Sequence, residues 1–143
     1  MELNPDIWGK WYWGFLHTIA LNYPNYPNAS TKKKYYELIT NFQLFIPCQQ
    51  ISTDFSKLIS LYPVSPYLDD RNSFIRWTHF IHNKINEKME KPLIPLNEFY
   101  ISYYEQYKPT GVKFAEFNKI KQKIVYIFII IIIVFSIYYF YDK

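Results

Sequence analysis

Residues 69–92 read DDRNSFIRWTHFIHNKINEKMEKP, and this stretch decides the fold class. Its large apolar side chains recur at intervals of three and four residues, which is the period of one face of a helix. The acidic pair at its start supplies a helix N-cap, and Pro92 ends the pattern because proline cannot continue a helix. The stretch therefore predicts one long amphipathic helix. Its apolar positions are Phe74, Trp77, Ile81, Ile85 and Met89.

The segments on either side are divided by prolines and show helical rather than alternating periodicity. Asn4 is a good N-cap, and Pro5 suits the first position of a helix. The expected helices begin after Asn4, after Ser30 (running to Pro47), at Cys48, after Asp70 and after Pro95. No stretch predicts a β-hairpin. We therefore expect an all-α fold, a small four-helix bundle plus a short fifth helix.

The C-terminal residues 124–141 are apolar or aromatic except for Ser136. Their number is close to the roughly 20 residues that a helix needs to cross a bilayer, so we predict a transmembrane helix. Lysines 119, 121 and 123 precede this segment, and the positive-inside rule then places the preceding domain in the cytosol. The sequon at Asn28 would matter only in the opposite orientation. The expected division is a domain over residues 1–108, a basic linker over 109–123 and the membrane helix over 124–141.

Composition narrows the class of protein further. Cys48 is the one cysteine in 143 residues, so no intrachain disulfide can form. The net charge of +4 comes from scattered lysines and does not predict nucleic-acid binding. The first residues lack a continuous apolar core, so we expect no signal peptide. Stability has to come from packing, a ligand or the membrane.

Several side chains could carry chemistry, and each has an ordinary alternative. Cys48 follows a proline at a predicted helix start, where the helix dipole favours the thiolate, but a lone cysteine is as often a small buried apolar residue. His79 and His82 lie three apart on one helix, yet no nearby carboxylate or cysteine completes a metal site, so we expect none. Trp13 and His17 at helical spacing have the ordinary interpretation of core aromatics.

Taken together and in order, these elements resemble the Erv/ALR family of FAD-linked sulfhydryl oxidases. Residues 9–17, GKWYWGFLH, are similar to the family's G-x-x-x-W-x-x-L-H, and the prolines at 24 and 27 follow as in its Y-P-x-x-P. Residues 45–51, FIPCQQI, stand in the place of P-C-x-x-C. Residues 77–86, WTHFIHNKIN, are similar to W-x-x-x-x-H-N-x-V-N, with Lys91-Pro92 in the place of its trailing K-P.

The resemblance implies a helical bundle that binds FAD between its helices, as a homodimer that acts on thiol proteins and oxygen. It implies Cys48 as the catalytic thiol, and it places Lys91 and Lys10 near the diphosphate. No metal is implied. Flat rings suit an aromatic cofactor, and a cation offsets phosphate charge. The cofactor-binding residues implied in this way are Gly9, Lys10, Trp13, His17, Trp77, His82, Asn83, Asn86 and Lys91.

The family pattern breaks at residue 51, where the second cysteine of C-x-x-C is replaced by Ile51. We predict a membrane-anchored, FAD-dependent thiol oxidase that forms protein disulfides and reduces oxygen to hydrogen peroxide, with another thiol completing the relay. The alternatives are a flavin-binding pseudoenzyme and a membrane-held helical adaptor that partners a competent oxidase. Composition rich in Ile, Lys, Asn and Tyr suggests an AT-rich genome such as that of a large DNA virus, with the protein in a host membrane or the virion.

Overall fold

The structure is a computed structural model that describes residues 3–141. The helices are α1 (Pro5–Leu21), α2 (Ala29–Phe42), α3 (Gln49–Leu61), α4 (Arg71–Lys88), α5 (Leu96–Glu105) and α6 (Thr110–Tyr141), with short 3-10 turns at Gln43–Phe45 and Ser65–Tyr67. The described residues contain no strand. The predicted all-α class, with four bundle helices, a short fifth and an apolar C-terminal helix, is confirmed.

Local capping sets the beginnings of three bundle helices. The Asn4 carboxamide oxygen accepts a hydrogen bond from the Asp6 amide at 2.9 Å. Helix α4 begins after Asp70 as predicted, and Asp70 Oδ1 accepts a hydrogen bond from the Ser73 amide at 2.9 Å. The second helix departs from the prediction, because it begins at Ala29 and ends at Phe42. Asn28 caps it through the Thr31 amide at 2.8 Å. Asparagine is among the best N-caps, so it starts the helix before Ser30 can.

Residues 1–96 form one compact unit, in which α1 and α3 both pack against α4. Tyr23, at the end of α1, has a fully buried ring that packs edge-on against Phe74 of α4. Its hydroxyl donates to the Leu68 carbonyl oxygen at 2.9 Å, so the buried ring leaves no polar atom unpaired. The Arg71 guanidinium donates to the Tyr23 carbonyl oxygen. This junction joins the end of α1 to the start of α4.

Residues 97–143 form the second compact unit, which contains nearly all of α5 and the whole of α6. Lys108 forms salt bridges with Glu105 at 2.5 Å and Glu116 at 3.2 Å, linking the two helices. Helix α6 has 32 residues with a mean hydropathy of 2.6 in its most apolar window, long and apolar enough to cross a membrane. It begins at Thr110, so the stretch expected as a linker is helical. The predicted boundary at residue 108 stays a prediction.

Candidate functional site

A groove opens between α1, the start of α3 and the end of α4. Most of its wall is apolar, and the polar groups are concentrated where α4 ends. The lining residues are Pro5, Trp8, Gly9, Tyr12, Trp13, Leu16, Phe42, Ile46, Ile51, Phe55, Ile85, Asn86, Met89 and Lys91. Apolar walls with a few polar groups are typical of a cofactor site.

Helix α1 contributes one continuous face to the groove because its lining residues recur three and four apart. Trp8 and Tyr12 pack edge to face, with ring centroids 5.0 Å apart. The Trp8 indole donates to the Leu3 carbonyl oxygen at 3.0 Å, and the Tyr12 hydroxyl donates to the Phe45 carbonyl oxygen at 2.8 Å. These hydrogen bonds fix both rings, so this part of the wall is preorganised.

The predicted residues Trp13, His17 and His82 form one aromatic cluster between α1 and α4. The Trp13 ring stacks on the His82 ring at a centroid distance of 4.0 Å and an interplanar angle of 11°. His17 Nε2 and His82 Nδ1 lie 2.9 Å apart and share a hydrogen bond. Trp13 also lines the groove, so the cluster adjoins it. The structure therefore brings together three of the residues implied by the resemblance.

Both histidines of the cluster are held neutral. Burial, followed by the charges of His82 and His79, lowers the pKa of His17 from 6.5 to about 3. Burial also lowers the pKa of His82 to about 4, with His79 and Lys91 as further causes. A hydrogen bond between two ring nitrogens needs one protonated and one bare nitrogen, which two neutral rings supply. The cluster is therefore uncharged near neutral pH.

Cys48 and Ile51 have different positions relative to the groove. Cys48 occupies the N-cap position of α3, and its side chain is buried, with 6% of the residue exposed. It does not line the groove, whereas Ile51, one turn further along α3, does. The residue that stands where the family pattern has its second cysteine is therefore the one that faces the groove.

The polar corner of the groove is formed where α4 ends. Asn86 is a buried lining residue, and its carbonyl oxygen accepts a hydrogen bond from the Lys91 amide at 2.9 Å. The Lys91 ammonium reaches α1 and pairs with Asp6 at 2.5 Å. Lys91 Nζ thus places a positive charge at the edge of an apolar groove, where a phosphate would be stabilised.

Five of the nine predicted binding residues do not line the groove, and two of these, His17 and His82, belong to the aromatic cluster beside it. Lys10 lies over the Trp11 ring, with Nζ 4.9 Å from its centroid. Trp77 is buried, and its indole donates to the Tyr62 carbonyl oxygen at 2.9 Å. Asn83 donates to the Ile94 carbonyl oxygen at 2.9 Å. Gly9, Trp13, Asn86 and Lys91 do line it. The binding roles assigned to all nine residues stay predictions.

Several lining residues were absent from the sequence-based set. Trp8 and Tyr12 are separated by four residues, so their position on the same face as Gly9 could have been found from helical spacing. Met89 follows Ile85 by four residues and could have been found in the same way, whereas the Lys91 partner Asp6 could not. Asp6 and Lys91 are 85 residues apart in sequence, and no local pattern predicts that pair.

The donor set of the groove fits the flavin dinucleotide that the resemblance implies. It offers flat aromatic faces, a buried carboxamide and a cation, which match an aromatic ring system, its polar edge and a diphosphate. The cavity itself has a volume of about 50 Å³, below the roughly 300–1,000 Å³ of most ligand sites, so side chains at the mouth must move outward around a dinucleotide.

Comparisons with known proteins relate the chain to one family. The model of the Erv1 / Alr family matches residues 10–108. A probable FAD-linked sulfhydryl oxidase, R368, of Acanthamoeba polyphaga mimivirus is 29% identical over 97 residues, 67% of this chain and 68% of that protein. The mitochondrial FAD-linked sulfhydryl oxidase erv1 of Schizosaccharomyces pombe is 34% identical over 91 residues, 62% of this chain and 50% of that protein.

A viral relative and two solved structures also relate the chain to FAD-linked sulfhydryl oxidases. The FAD-linked sulfhydryl oxidase of African swine fever virus is 29% identical over 99 residues, 69% of this chain and 81% of that protein. The crystal structure of the yeast Erv1 core superposes with a TM-score of 0.63 at 27% identity, over 74% of this chain and 85% of that one. The FAD binding domain of Erv1 from Saccharomyces cerevisiae gives the same TM-score over 93% of its length. The chain spans only half of the fission yeast relative.

Proposed function

This chain belongs to the Erv1/Alr family, and from that premise we propose that it is an FAD-linked sulfhydryl oxidase whose cofactor binds in the groove between α1, α3 and α4. The observation that carries the proposal is the composition of the groove. Trp13 offers a flat face beside the neutral His82, and Asn86 and Lys91 supply an amide and a cation at the other side. An adaptor without a cofactor has no use for such a lining.

The residues of this chain would bind and orient the flavin. Trp13, which lines the groove and is supported by the His82 ring stacked on it, would contact an aromatic ring, and the neutral His17 would keep the neighbouring pocket uncharged. Lys91 would exchange its partner Asp6 for the diphosphate, because a charge-assisted contact with phosphate oxygens is stronger than an exposed ion pair. Apolar residues along α1 and α3 would exclude water. When bound, FAD would supply an acceptor for two electrons between the thiols and oxygen.

The proposed reaction converts two substrate thiols into one disulfide, with release of two electrons and two protons. Oxygen takes up the two electrons and the two protons and becomes hydrogen peroxide. Cys48 would enter by exchange, since a single thiolate can form a mixed disulfide with a substrate. It cannot form a disulfide with residue 51, because Ile51 occupies that position. A thiol of the substrate, or of a partner protein, would then have to reach the groove past Ile51.

A second candidate is a flavin-binding pseudoenzyme that supports a competent oxidase. Two observations favour it: Cys48 is buried, and the residue in the groove wall is Ile51 rather than a cysteine. The third possibility, a helical membrane adaptor that binds no flavin, requires the groove to have no ligand. The three functions differ in what the purified protein does with added FAD and with a dithiol.

We also propose that the protein is a homodimer held at a membrane. Trp11, Phe15 and Phe45 form part of an exposed apolar patch that adjoins the groove and shares Tyr12 and Phe42 with it, with Trp11 69% and Phe45 64% exposed. Such a patch on one protomer is suited to the same patch on another. Residues 124–141 of α6 would cross the membrane, with residues 1–108 on the cytosolic side. Because two of its relatives are viral, we propose that this membrane is a host membrane or that of the virion.

The experiment that tests the function uses the full chain purified in detergent. A visible flavin spectrum, followed by oxygen uptake with a dithiol, would support the oxidase. A yellow protein that consumes no oxygen would support the pseudoenzyme. A colourless protein that takes up no added FAD would leave only the adaptor.

A further inference from the structure

The loop after α4, residues 89–95, is attached to the preceding helix through the side chain of Asn83. The Ile94 amide donates to Asn83 Oδ1 at 3.0 Å, and Asn83 Nδ2 donates to the Ile94 carbonyl oxygen at 2.9 Å. The His79 ring donates to the same carbonyl oxygen from Nε2 at 2.7 Å. One carboxamide therefore satisfies both backbone groups of Ile94, as a neighbouring β-strand would. We call residues 89–95 the strap.

The other end of the strap is fixed by the backbone. Glu90 has a φ of 54°, in the left-handed region that commonly terminates a helix. The Lys91 amide then donates to the Asn86 carbonyl oxygen at 2.9 Å, and the Lys91 side chain crosses to Asp6 of α1. Met89 and Lys91 both line the groove. The strap is thus part of the groove wall and is held at both ends.

We infer that Asn83 is a positioning residue, which acts on the cofactor groove through the strap by holding Lys91 and Met89 in place. Asn83 itself does not line the groove, and its carboxamide is occupied by Ile94. This differs from direct cofactor contact, the role that the resemblance implies for Asn83. The inference rests on the proposed function, since it concerns the groove in which FAD would bind.

The consequence is an indirect effect on affinity. Without Asn83 the strap keeps its turn at Glu90 but loses two hydrogen bonds at Ile94, so Lys91 samples more positions before it meets a phosphate. The conformational entropy lost when FAD binding orders the strap would then oppose binding. We expect Asn83→Ala to raise the Kd for FAD about tenfold, a change in the range that the loss of two net hydrogen bonds produces.

A double-mutant cycle tests whether the effect passes through Lys91. The Kd for FAD is measured by titration of the full chain in detergent, for wild type, Asn83→Ala, Lys91→Ala and the double variant. We expect the tenfold effect of Asn83→Ala to shrink to about twofold or less when Lys91 is already alanine, because coupled sites are not additive. Asn72→Ala, a change to an exposed asparagine of the same helix, should leave the Kd unchanged.

Amide exchange of the protein without FAD gives an independent readout. The Ile94 amide should exchange faster in Asn83→Ala than in wild type. Asn83→Asp should keep part of its protection, because one carboxylate oxygen still accepts that hydrogen bond while the other can no longer donate to the Ile94 carbonyl oxygen. If Asn83→Ala does not fold, Asn83→Asp replaces it in the double-mutant cycle. A full tenfold effect of Asn83→Ala in the Lys91→Ala background would overturn the positioning role of Asn83 but not the proposed function. A wild type that binds no FAD would overturn the proposed function, and the inference with it.

Discussion

Trp13 of α1 and His82 of α4 stack face to face, with ring centroids 4.0 Å apart and planes inclined by 11°. The contact joins two helices that are far apart in sequence, and it holds His82 where it can share a hydrogen bond with His17. Offset stacks of aromatic rings contribute about 0.5–1.5 kcal/mol beyond the area that they bury. The same indole lines the groove, so one side chain serves both the packing of the bundle and the proposed cofactor site.

Replacing this indole should weaken FAD binding. We expect Trp13→Ala to raise the Kd for FAD at least about tenfold, because stacking and buried area are both lost. The measurement is a fluorescence titration of the full chain with FAD. Tyr36→Ala, on α2 and outside the groove, is the matched control and should bind as wild type does. Equal affinities for the two variants would contradict the assignment of the groove.

The neutral histidine pair should make stability depend on pH. The folded pKa values of His17 and His82 are about 3 and about 4, below the unfolded value of 6.5. The unfolded chain therefore binds more protons below that value, so their contribution to stability is lost as the pH falls below 6.5. We expect the free energy of unfolding of the cofactor-free protein to fall by about 2–4 kcal/mol from about pH 7 to about pH 5.

Urea denaturation followed by tryptophan fluorescence measures this dependence. His82→Gln should lose about half of it, since glutamine does not titrate. The carboxyl groups whose pKa is lowered, Asp54, Asp70 and Glu87, titrate below this window and do not obscure it. A wild-type stability that is constant down to about pH 5 would mean that the pair takes up protons as readily in the folded protein as in the unfolded chain.

Restoring a cysteine at the groove should restore the relay. We expect Ile51→Cys to raise dithiol-dependent oxygen uptake roughly tenfold or more, because a disulfide between residues 48 and 51 would place a sulfur at the groove wall. Ile59→Cys adds a thiol further along α3, outside the groove lining, and should have no such effect. An unchanged rate in Ile51→Cys would show that electrons reach oxygen by another route or not at all.

The exposed aromatic patch should hold the dimer together. Trp11→Glu places a charge in the middle of the patch, and burying an unpaired carboxylate against a second copy is costly. We expect this variant to sediment as a monomer in detergent and wild type as a dimer. Leu61→Glu, at a leucine that is 68% exposed away from the patch, should remain dimeric. A monomeric wild type would remove the homodimer proposal.

Removal of residues 124–143 should release the protein from membranes. We expect the full chain to resist alkaline extraction and the truncated chain to be extracted, because α6 is apolar enough to span a bilayer. Orientation is read from glycosylation. The sequon at Asn28 should stay unmodified, and an acceptor sequence appended after Lys143 should be modified, if the domain is cytosolic. The reverse pattern would reverse the proposed topology.

Much of the fold could be predicted from the sequence because its signals are local. The Asn4 and Asp70 caps act on amides two or three residues away, and they start their helices as expected. The predicted start of α2 is wrong by two residues because Asn28 and Ser30 can both cap a helix, and only the geometry selects Asn28. The family motifs place Trp13, His82 and Lys91 in one predicted set.

The sequence by itself determined the helical class, the apolar C-terminal helix, the lone Cys48 and the isoleucine at position 51, because each follows from residue identity or from spacing within one helix. Only the tertiary structure decided that Ile51 rather than Cys48 faces the groove, and that Asn83 binds the strap. It also decided that Lys91 reaches Asp6. These contacts depend on how α1, α3 and α4 rotate and pack, and packing selects among arrangements that local sequence leaves equivalent.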